Sequence, residues 1–278
     1  MSKILVVDDD PLLLDLVTDI LSVDGYDVRA TRDATYALQQ LQEQPPELLI
    51  TDYLMPSMDG LSLIRESRRI LNSCAALKCI LITAHGNPEI VLGALRERVN
   101  DFLVKPFRPD DLRSAVATLM AADRLPMIEV ISASLEWVNL RVPCCLAVVP
   151  ILQKLLAELR TDFPDETREA ISYAFREMIN NAIEYGGKSD PSLSVRVTCV
   201  RLQHAILFCI GDPGKGFDPL ALEHSAVSNP GGDLLRHASI RNERGLRPGG
   251  FGILLTRHLV DELLYNEQRN EVLFVKYL

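Results

Sequence analysis

Short apolar runs alternate with longer helical patterns through the first half of the sequence. The runs favour strands, because each is almost wholly apolar, as in a sheet covered on both faces. The predicted strands span residues 4–7, 27–31, 47–51, 79–83 and 101–104. Between them, apolar residues recur at three- and four-residue spacing, which predicts helices at 12–21, 34–41, 61–71, 89–98 and 112–120. A series of β-α units predicts an α/β domain with a doubly wound, five-stranded parallel sheet.

Polar side chains follow the carboxyl ends of these strands, where doubly wound sheets carry their chemistry. The residues at these ends are Asp8, Asp9, Asp10, Asp52, Thr83 and Lys105. Carboxylates brought together in this way repel unless a cation neutralises them, and oxygen ligands favour Mg²⁺. A carboxylate beside Mg²⁺ can accept a phosphoryl group while a hydroxyl and an ammonium stabilise its oxygens. Each residue alone also fits a strand-end or helix-capping role.

The stretches ILVVDDD, LLITDYLMPSMDG, CILITAHG and DFLVKPF resemble the receiver domain of two-component response regulators. The resemblance implies that Asp52 is the phosphoacceptor and that Lys105 binds the phosphoryl group. It further implies a Mg²⁺ site and a switch formed by these residues: Asp8, Asp9, Asp52 and the Leu54 carbonyl for the metal, Thr83 and Phe102 for the switch. His85 is expected to face solvent.

The second half predicts a different mixture of helices and strands. Strands are expected at 128–134, 135–142, 194–200 and 205–210, and helices at 146–160, 166–185 and 253–264. The helix at 166–185 has an apolar stripe consisting of Ile171, Ala174, Phe175, Met178 and Ala182. On another face, Glu177, Asn181 and Glu184 follow one another at helical spacing. An amide oxygen suits Mg²⁺ bound to phosphates, and Glu177 could accept a proton.

Two glycine-rich segments follow these elements. Asp212 stands at a predicted strand end beside Gly214 and Gly216, where a carboxylate can recognise the amino group of a base. The glycines at 249, 250 and 252 open a predicted helix and can cradle phosphates. Residues 219–247 are expected to form a mobile lid, with Arg236, Arg241, Arg244 and Arg247 either touching phosphate or solvated.

In order, the segments FREMINNAIEYGG, GDPGKGFD and PGGFGILL resemble the nucleotide boxes of GHKL ATPases, and most closely those of anti-sigma-factor serine/threonine kinases. The resemblance implies ATP as ligand, with Asn181 on Mg²⁺, Glu177 as general base and Asp212 on adenine. It implies phosphate contacts from five glycines: Gly214, Gly216, Gly249, Gly250 and Gly252. Tyr185 departs from this family, many of whose members have His there. The expected domains are 1–123 (receiver) and 124–278 (a GHKL, or Bergerat, α/β sandwich beginning with two strands).

Composition limits the class of protein and the cellular location that the sequence is compatible with. With 47% apolar and 24% charged residues, the 278-residue chain is typical of globular domains, and it has no apolar stretch long enough to cross a membrane. Most of the net charge of −9 lies in residues 1–123, which argues against a nucleic-acid surface on that half. The six cysteines have no metal-binding spacing, and MSKILVVDDD lacks the layout of a secretory signal, so reduced thiols and a cytoplasmic location are expected.

Three functions are compatible with these features. The leading hypothesis is a response regulator whose output is an ATP-dependent kinase acting on serine or threonine of an antagonist or sigma-factor-like partner, with a sensor histidine kinase or phosphotransfer protein upstream. A hybrid histidine kinase is an alternative, but residues 110–203 contain no histidine. The third hypothesis is a non-catalytic module whose docking surface depends on bound nucleotide. Self-association as a homodimer is a further expectation.

Overall fold

The computed structural model describes residues 2–71, 77–84, 88–121, 127–158, 162–217, 236–243 and 251–278. The chain divides into two compact units, Met1–Leu125 and Pro126–Leu278. Gly249, Gly250, His85, Arg244 and Arg247 lie outside the described residues.

The first unit is a five-stranded parallel sheet with strand order β2-β1-β3-β4-β5. The strands are β1 (Lys3–Val7), β2 (Asp27–Thr31), β3 (Leu48–Asp52), β4 (Lys78–Thr83) and β5 (Asp101–Val104). The helices are α1 (Pro11–Val23), α2 (Ala34–Glu43), α3 (Gly60–Ile70), α4 (Pro88–Arg96) and α5 (Pro109–Ala121). The predicted α/β class and parallel sheet are confirmed.

Aspartates fix the starts of three helices of this unit. The side chain of Asp10 accepts a hydrogen bond from the Leu12 amide at the start of α1, and Asp33 and Asp59 do the same for α2 and α3. Such caps satisfy amides that have no partner within the helix. Because each helix starts just beyond the carboxyl end of a strand, the capping loops also form the edge where the candidate site lies.

The second unit is a six-stranded antiparallel sheet with strand order β10-β11-β9-β8-β7-β6. Its strands are β6 (Glu129–Ala133), β7 (Trp137–Pro143), β8 (Ser194–Leu202), β9 (Ala205–Gly211), β10 (Glu262–Tyr265) and β11 (Glu271–Tyr277). Its α-helices are α6 (Val149–Glu158), α7 (Asp165–Asn181), α8 (Arg236–Glu243) and α9 (Gly252–Leu259), and a 3₁₀ turn at Leu146–Val148 precedes α6. This sheet-and-helix unit is consistent with the predicted GHKL type.

An aromatic cluster joins α7 to the sheet. Phe175 lies 5.5 Å from Phe208 of β9, which stacks at 4.9 Å on Phe274 of β11. All five residues of the predicted apolar stripe are buried: Ile171, Ala174, Phe175, Met178 and Ala182. Burial of this stripe fixes the rotation of α7, so that Glu177 and Asn181 occupy a different, half-buried face.

The prediction of one helix at 253–264 was wrong, because α9 ends at Leu259 and residues 262–265 form β10. Asp261 explains the change. Its amide donates to Val275, and its carboxylate accepts from the amide of Tyr277, so the chain is held against β11. Long-range strand pairing therefore overrides the helical spacing of the apolar residues.

The helix predicted at 166–185 also ends earlier, at Asn181, and continues as a single π-helical turn over Ala182–Gly186. The amide of Gly187 donates to the Ala182 carbonyl at 2.8 Å, which closes the wide turn. Wide turns of this kind are frequent at functional sites. Here the turn brings two glycines against side chains of neighbouring segments.

Part of the predicted lid is helical, since α8 lies within residues 219–247 and Arg236 is its exposed first residue. The rest of that segment lies outside the described residues. In the part of the chain that the structure describes, no helix is both long and apolar enough to cross a bilayer.

Candidate functional site

The ammonium group of Lys105 bridges two buried carboxylates at the carboxyl edge of the parallel sheet. Its Nζ lies 2.5 Å from Oδ1 of Asp52 and 2.9 Å from Oδ2 of Asp8. The exposed side-chain fractions are 6% for Asp52 and 2% for Asp8, against 27% for Lys105. The predicted convergence of these three side chains is therefore present, and the lysine is the most exposed of the three.

Backbone contacts orient the same carboxylates. The amide of Leu54 donates to Oδ2 of Asp52 at 2.7 Å, and the amide of Asp10 donates to Oδ1 of Asp8 at 2.9 Å. A β-carbon built at Gly60 would lie 2.2 Å from the carbonyl oxygen of Asp52. Only glycine can therefore begin α3 this close to the end of β3.

Burial dominates the electrostatics of this site. It raises the pKa of Asp52, and the hydrogen bond and charge of Lys105 offset only part of that effect. For Lys105, burial alone favours the neutral amine, but hydrogen bonds to Asp52 and Asp8 outweigh it and raise the pKa of the lysine. The site thus holds two buried acidic groups and one ammonium.

The donor set suits a hard cation. Two buried carboxylates with one ammonium leave negative charge at the site, and carboxylate and carbonyl oxygens are the ligands that Mg²⁺ prefers. In the described ranges, no three acidic, histidine or cysteine side chains already form a metal-binding group. Asp9 is half-buried beside Asp8, and its carbonyl accepts from the guanidinium of Arg32.

Thr83 and Phe102 lie on the neighbouring strands. Thr83 is buried at the end of β4, where its carbonyl accepts from the Lys105 amide at 2.7 Å. The Phe102 ring is already buried in this structure. A switch at these positions would therefore have to change how the buried Thr83 and Phe102 side chains pack, because the Phe102 ring does not start from an exposed position.

In the second unit, Glu177 lies directly beneath the start of α9. A β-carbon built at Gly252, the first residue of that helix, would lie 2.2 Å from Oε2 of Glu177. The two helices pack side by side, which places the carboxylate at the N-terminal end of α9. Asn181 is half-buried one turn further along α7.

Asp212 begins the loop 212–216, called the glycine loop below. Its Oδ1 accepts from the amide of Gly214 at 2.8 Å, and it makes no other side-chain hydrogen bond within the described residues. A β-carbon built at Gly186 would lie 2.2 Å from Cγ of Asp212, so the π-helical turn presses backbone against this carboxylate. Burial raises the pKa of Asp212, and the Gly214 hydrogen bond offsets part of that effect.

Two residues important to this geometry were not predicted. Gly186 belongs to the segment EYGG, but its contact with Asp212 depends on the wide turn. Asn270 lies in the turn between β10 and β11, and its side-chain amide donates to the Gly214 carbonyl of the glycine loop. A glycine pair after a long helix was the only sequence signal available for the first, and nothing in the sequence pointed to the second.

The predicted phosphate glycines are only partly described. Gly214 and Gly216 lie in the glycine loop and Gly252 opens α9, whereas the other two fall outside the described residues. Gly216 has a φ of +80°, which a residue with a β-carbon adopts poorly. Glu177 and Asp212 are each covered by a glycine from another segment, Glu177 by Gly252 and Asp212 by Gly186.

Comparison with known families is consistent with this division. Residues 4–117 match the response regulator receiver domain, and residues 146–276 match the histidine kinase-like ATPase domain. The first match spans the parallel sheet, and the second spans helices α6 to α9 and most of the antiparallel sheet.

Curated relatives resemble the first unit. DNA-binding response regulator MtrA of Mycolicibacterium smegmatis is 32% identical over 114 residues, which cover 41% of this chain and 48% of MtrA. Sensor histidine kinase TmoS of Ectopseudomonas mendocina is 34% identical over 119 residues, which cover 43% of this chain and 12% of TmoS. The chain thus spans about half the length of MtrA and much less of TmoS. The chemotaxis protein CheY4 of Vibrio cholerae has a TM-score of 0.41 and 27% identity, covering 43% of this chain and 98% of CheY4.

The chain therefore combines a response regulator receiver domain with a histidine kinase-like, ATP-binding domain.

Proposed function

We propose that phosphorylation of Asp52 controls the ATP-binding domain, and that this domain is a serine/threonine protein kinase of the anti-sigma-factor type. The observation that carries the proposal is the pairing of Lys105 with Asp52 in a chain that also holds Glu177 against the start of α9. The first pair suits an acceptor of phosphoryl groups, and the second suits a proton acceptor beside bound phosphates.

At the receiver site, the donor is the phosphohistidine of a sensor kinase or phosphotransfer protein. A carboxylate oxygen of Asp52 forms a bond to phosphorus as the bond to the donor nitrogen breaks, and the electron pair leaves with the imidazole. Lys105 already contacts Asp52 and would follow the new phosphoryl oxygens. The transfer adds about −1.5 to −2 charges beside Thr83, which biases the position of this hydroxyl and, through it, Phe102.

The residues that would hold Mg²⁺ at this site are Asp8, Asp9, Asp52 and the carbonyl of Leu54. The ion, when bound, neutralises the charge that gathers on the transferring oxygens. Asp8 contributes in a second way, because it keeps Lys105 at the acceptor through their 2.9 Å contact.

In the second unit, the carboxylate of Asp212 accepts a hydrogen bond from the amino group of adenine. Asn181 would hold the Mg²⁺ that accompanies the triphosphate, and Gly214, Gly216, Gly249, Gly250 and Gly252 would contact its phosphates. Gly252 suits this role because it carries no side chain between Glu177 and the N-terminus of α9.

The kinase step follows from the position of Glu177. This carboxylate takes the proton of a serine or threonine hydroxyl of the partner. The hydroxyl oxygen forms a bond to the γ-phosphorus as the bond from that phosphorus to the bridging oxygen breaks, and ADP leaves with the electron pair. We further propose that the partner is an antagonist or sigma-factor-like protein, that the protein acts in the cytoplasm, and that it self-associates.

A hybrid histidine kinase is the second candidate, because the ATPase domain is histidine kinase-like. Two features oppose it. Residues 110–203 contain no histidine, and residues Glu129–Ala133 and Trp137–Pro143 form a strand pair where a dimerising helix would be needed. The third candidate, a nucleotide-dependent binding module, differs from the kinase only in leaving ATP intact.

The receiver proposal is tested by labelling with acetyl phosphate or with a phosphorylated sensor kinase. The wild-type chain should take up acid-labile label and Asp52→Asn should not. Equal labelling of both proteins would reject the acceptor role of Asp52.

The kinase proposal is tested with labelled ATP and candidate antagonist proteins. We expect acid-stable label on serine or threonine of a partner, its loss in Glu177→Ala, and a large loss of ATP affinity in Asn181→Ala. ATP binding without label on any partner favours the binding module instead. Label on a histidine of the chain itself favours the hybrid kinase.

A further inference from the structure

The turn between β10 and β11, residues 266–270, lies against the glycine loop. The amide of Asp212 donates to the Asn270 carbonyl at 2.8 Å, and Nδ2 of Asn270 donates to the Gly214 carbonyl at 3.1 Å. Gly216 lies so close to the Gln268 carbonyl that a β-carbon would reach within 1.5 Å of it. The turn therefore contacts the beginning, middle and end of the loop.

The orientation of the Asn270 amide is determined by its partners. Its Oδ1 accepts from Nδ2 of Asn266 at 2.8 Å, while its own Nδ2 faces the Gly214 carbonyl. The reverse orientation would set oxygen against oxygen and nitrogen against nitrogen, which no hydrogen bond satisfies. The side chain of Asn266 also accepts from the Asn270 and Glu271 amides, so the turn is held by its own hydrogen bonds.

Through Gly214, this turn is connected to the candidate base-binding carboxylate. Gly214 accepts from Asn270 with its carbonyl and donates to Oδ1 of Asp212 with its amide. Glycine has the widest backbone freedom of any residue, so the loop keeps one conformation only where such contacts hold it. Asp212 itself has no other side-chain hydrogen bond among the described residues to limit its rotamer.

We propose that Asn270 is a positioning residue that orients Asp212 and so sets the base selectivity of the ATP-binding domain. This inference rests on the proposed role of Asp212. A fixed carboxylate oxygen accepts from the amino group of adenine and repels the carbonyl oxygen that guanine presents at the same place. If the loop loosens, ATP loses affinity and the advantage of ATP over GTP decreases.

The test measures ATP and GTP affinities by calorimetry with Mg²⁺ on the full chain. The variants are Asn270→Ala, Asn270→Asp, Asp212→Asn, and the combination of Asn270→Ala with Asp212→Asn. Asn270→Asp keeps the shape of the side chain but cannot donate to Gly214. Gln268→Ala is the matched control, because it truncates an exposed side chain of the same turn and leaves the Asn270 contact to Gly214 in place.

We expect Asn270→Ala and Asn270→Asp to raise the ATP Kd about tenfold, because each removes the hydrogen bond to Gly214. Both variants should also lower the preference for ATP over GTP. Gln268→Ala should change that preference little. In the Asp212→Asn background, Asn270→Ala should cost almost nothing, because the residue acts through Asp212. Hydrogen exchange at the Gly214 amide should rise in Asn270→Ala without any nucleotide.

A full additive loss in the double variant, or an unchanged ATP:GTP ratio in both Asn270 variants, would overturn the inference while leaving the nucleotide site intact. A wild-type chain that binds no ATP, or Asp212→Asn that binds it normally, would instead reject the proposed site and this inference with it. The two failures are therefore distinguishable in one set of titrations.

Discussion

Gly186 lies directly against the carboxylate of Asp212. A β-carbon at Gly186 would come within 2.2 Å of Cγ and 2.3 Å of Oδ1 of that aspartate, closer than any side chain can approach. The contact joins the π-helical turn after α7 to the loop after β9. The Asp212 carboxylate can therefore occupy this position only because residue 186 has no side chain.

Gly186→Ala should displace Asp212 and weaken ATP binding at least tenfold, with a loss of about 1–3 kcal/mol in the free energy of unfolding, as overpacking usually costs. Calorimetry and chemical denaturation measure both effects. Gly211→Ala is the control, because its added carbon would meet only Arg196 and Glu271 at 3.5–3.7 Å. Wild-type affinity in Gly186→Ala would contradict a base-binding role for the aspartate.

Lys105→Ala should destabilise the receiver domain, because it leaves two buried carboxylates facing each other without their ammonium. Breaking a buried charge pair costs about 3–5 kcal/mol, and the partial exposure of the lysine lowers our expectation to about 2–3 kcal/mol. Denaturation at neutral pH measures the loss. Asp52→Asn should recover much of it in the double variant, and Lys3→Ala, at an exposed lysine, should be nearly neutral. Additive losses in the double variant would argue against this charge balance.

Asp52→Asn alone should stabilise the folded chain at neutral pH. Burial raises the pKa of Asp52, so the folded state holds the proton more tightly than the unfolded state. The stability that this tighter proton binding provides is fully present at pH values below the usual pKa of aspartate. It is lost as the pH rises through the raised pKa of Asp52, so at higher pH the ionised Asp52 lowers the free energy of unfolding. The gain from Asn should therefore shrink as the pH falls to about 4.

Urea denaturation at several pH values tests this prediction. Asp15→Asn, at an exposed position on α1, provides the comparison, since it removes a carboxylate without changing the site. A gain from Asp52→Asn that is independent of pH would indicate a cause other than the burial of its charge.

Gly252→Ala should lower the free energy of unfolding by no more than about 1 kcal/mol, because the added carbon meets the movable end of the Glu177 side chain and alanine is the better helix former. Combining it with Glu177→Ala should restore most of the loss, because the truncated side chain leaves room for the new carbon. A double-mutant cycle by thermal denaturation measures this coupling. Gly93→Ala, whose carbon would lie 2.8 Å from the end of the Leu61 side chain, is the comparison at a longer contact and should cost less.

The receiver could be predicted from the sequence almost completely. Its strands are short buried runs and its helices have clear apolar faces, so local spacing predicts these elements. Because functional side chains gather at the carboxyl ends of parallel strands, the same elements predict that Asp8, Asp52 and Lys105 lie close together. The burial of Phe102 in the present conformation was not foreseen, since spacing does not report the rotamer of a side chain.

The second unit was predicted less well because its decisive contacts join distant segments. Asn270 and Gly214 are separated by 56 positions, and the pairing of β10 with β11 replaced a helix that the local pattern favoured. The position of Gly186 depends on a wide turn that a regular 3.6-residue period does not suggest. Sequence motifs point to Glu177 and Asp212, whereas no local pattern points to the contacts that Gly186 and Asn270 make with loop 212–216.

The order β10-β11-β9 has a consequence for biosynthesis. Residues 271–277 form an interior strand, so the sheet is continuous only after they have left the ribosome, whereas the receiver strands and helices are complete by residue 121. At typical translation speeds the remaining stretch takes roughly 10–30 s to synthesise. A nascent chain can therefore present an assembled aspartate–lysine site well before the turn that contacts the glycine loop exists.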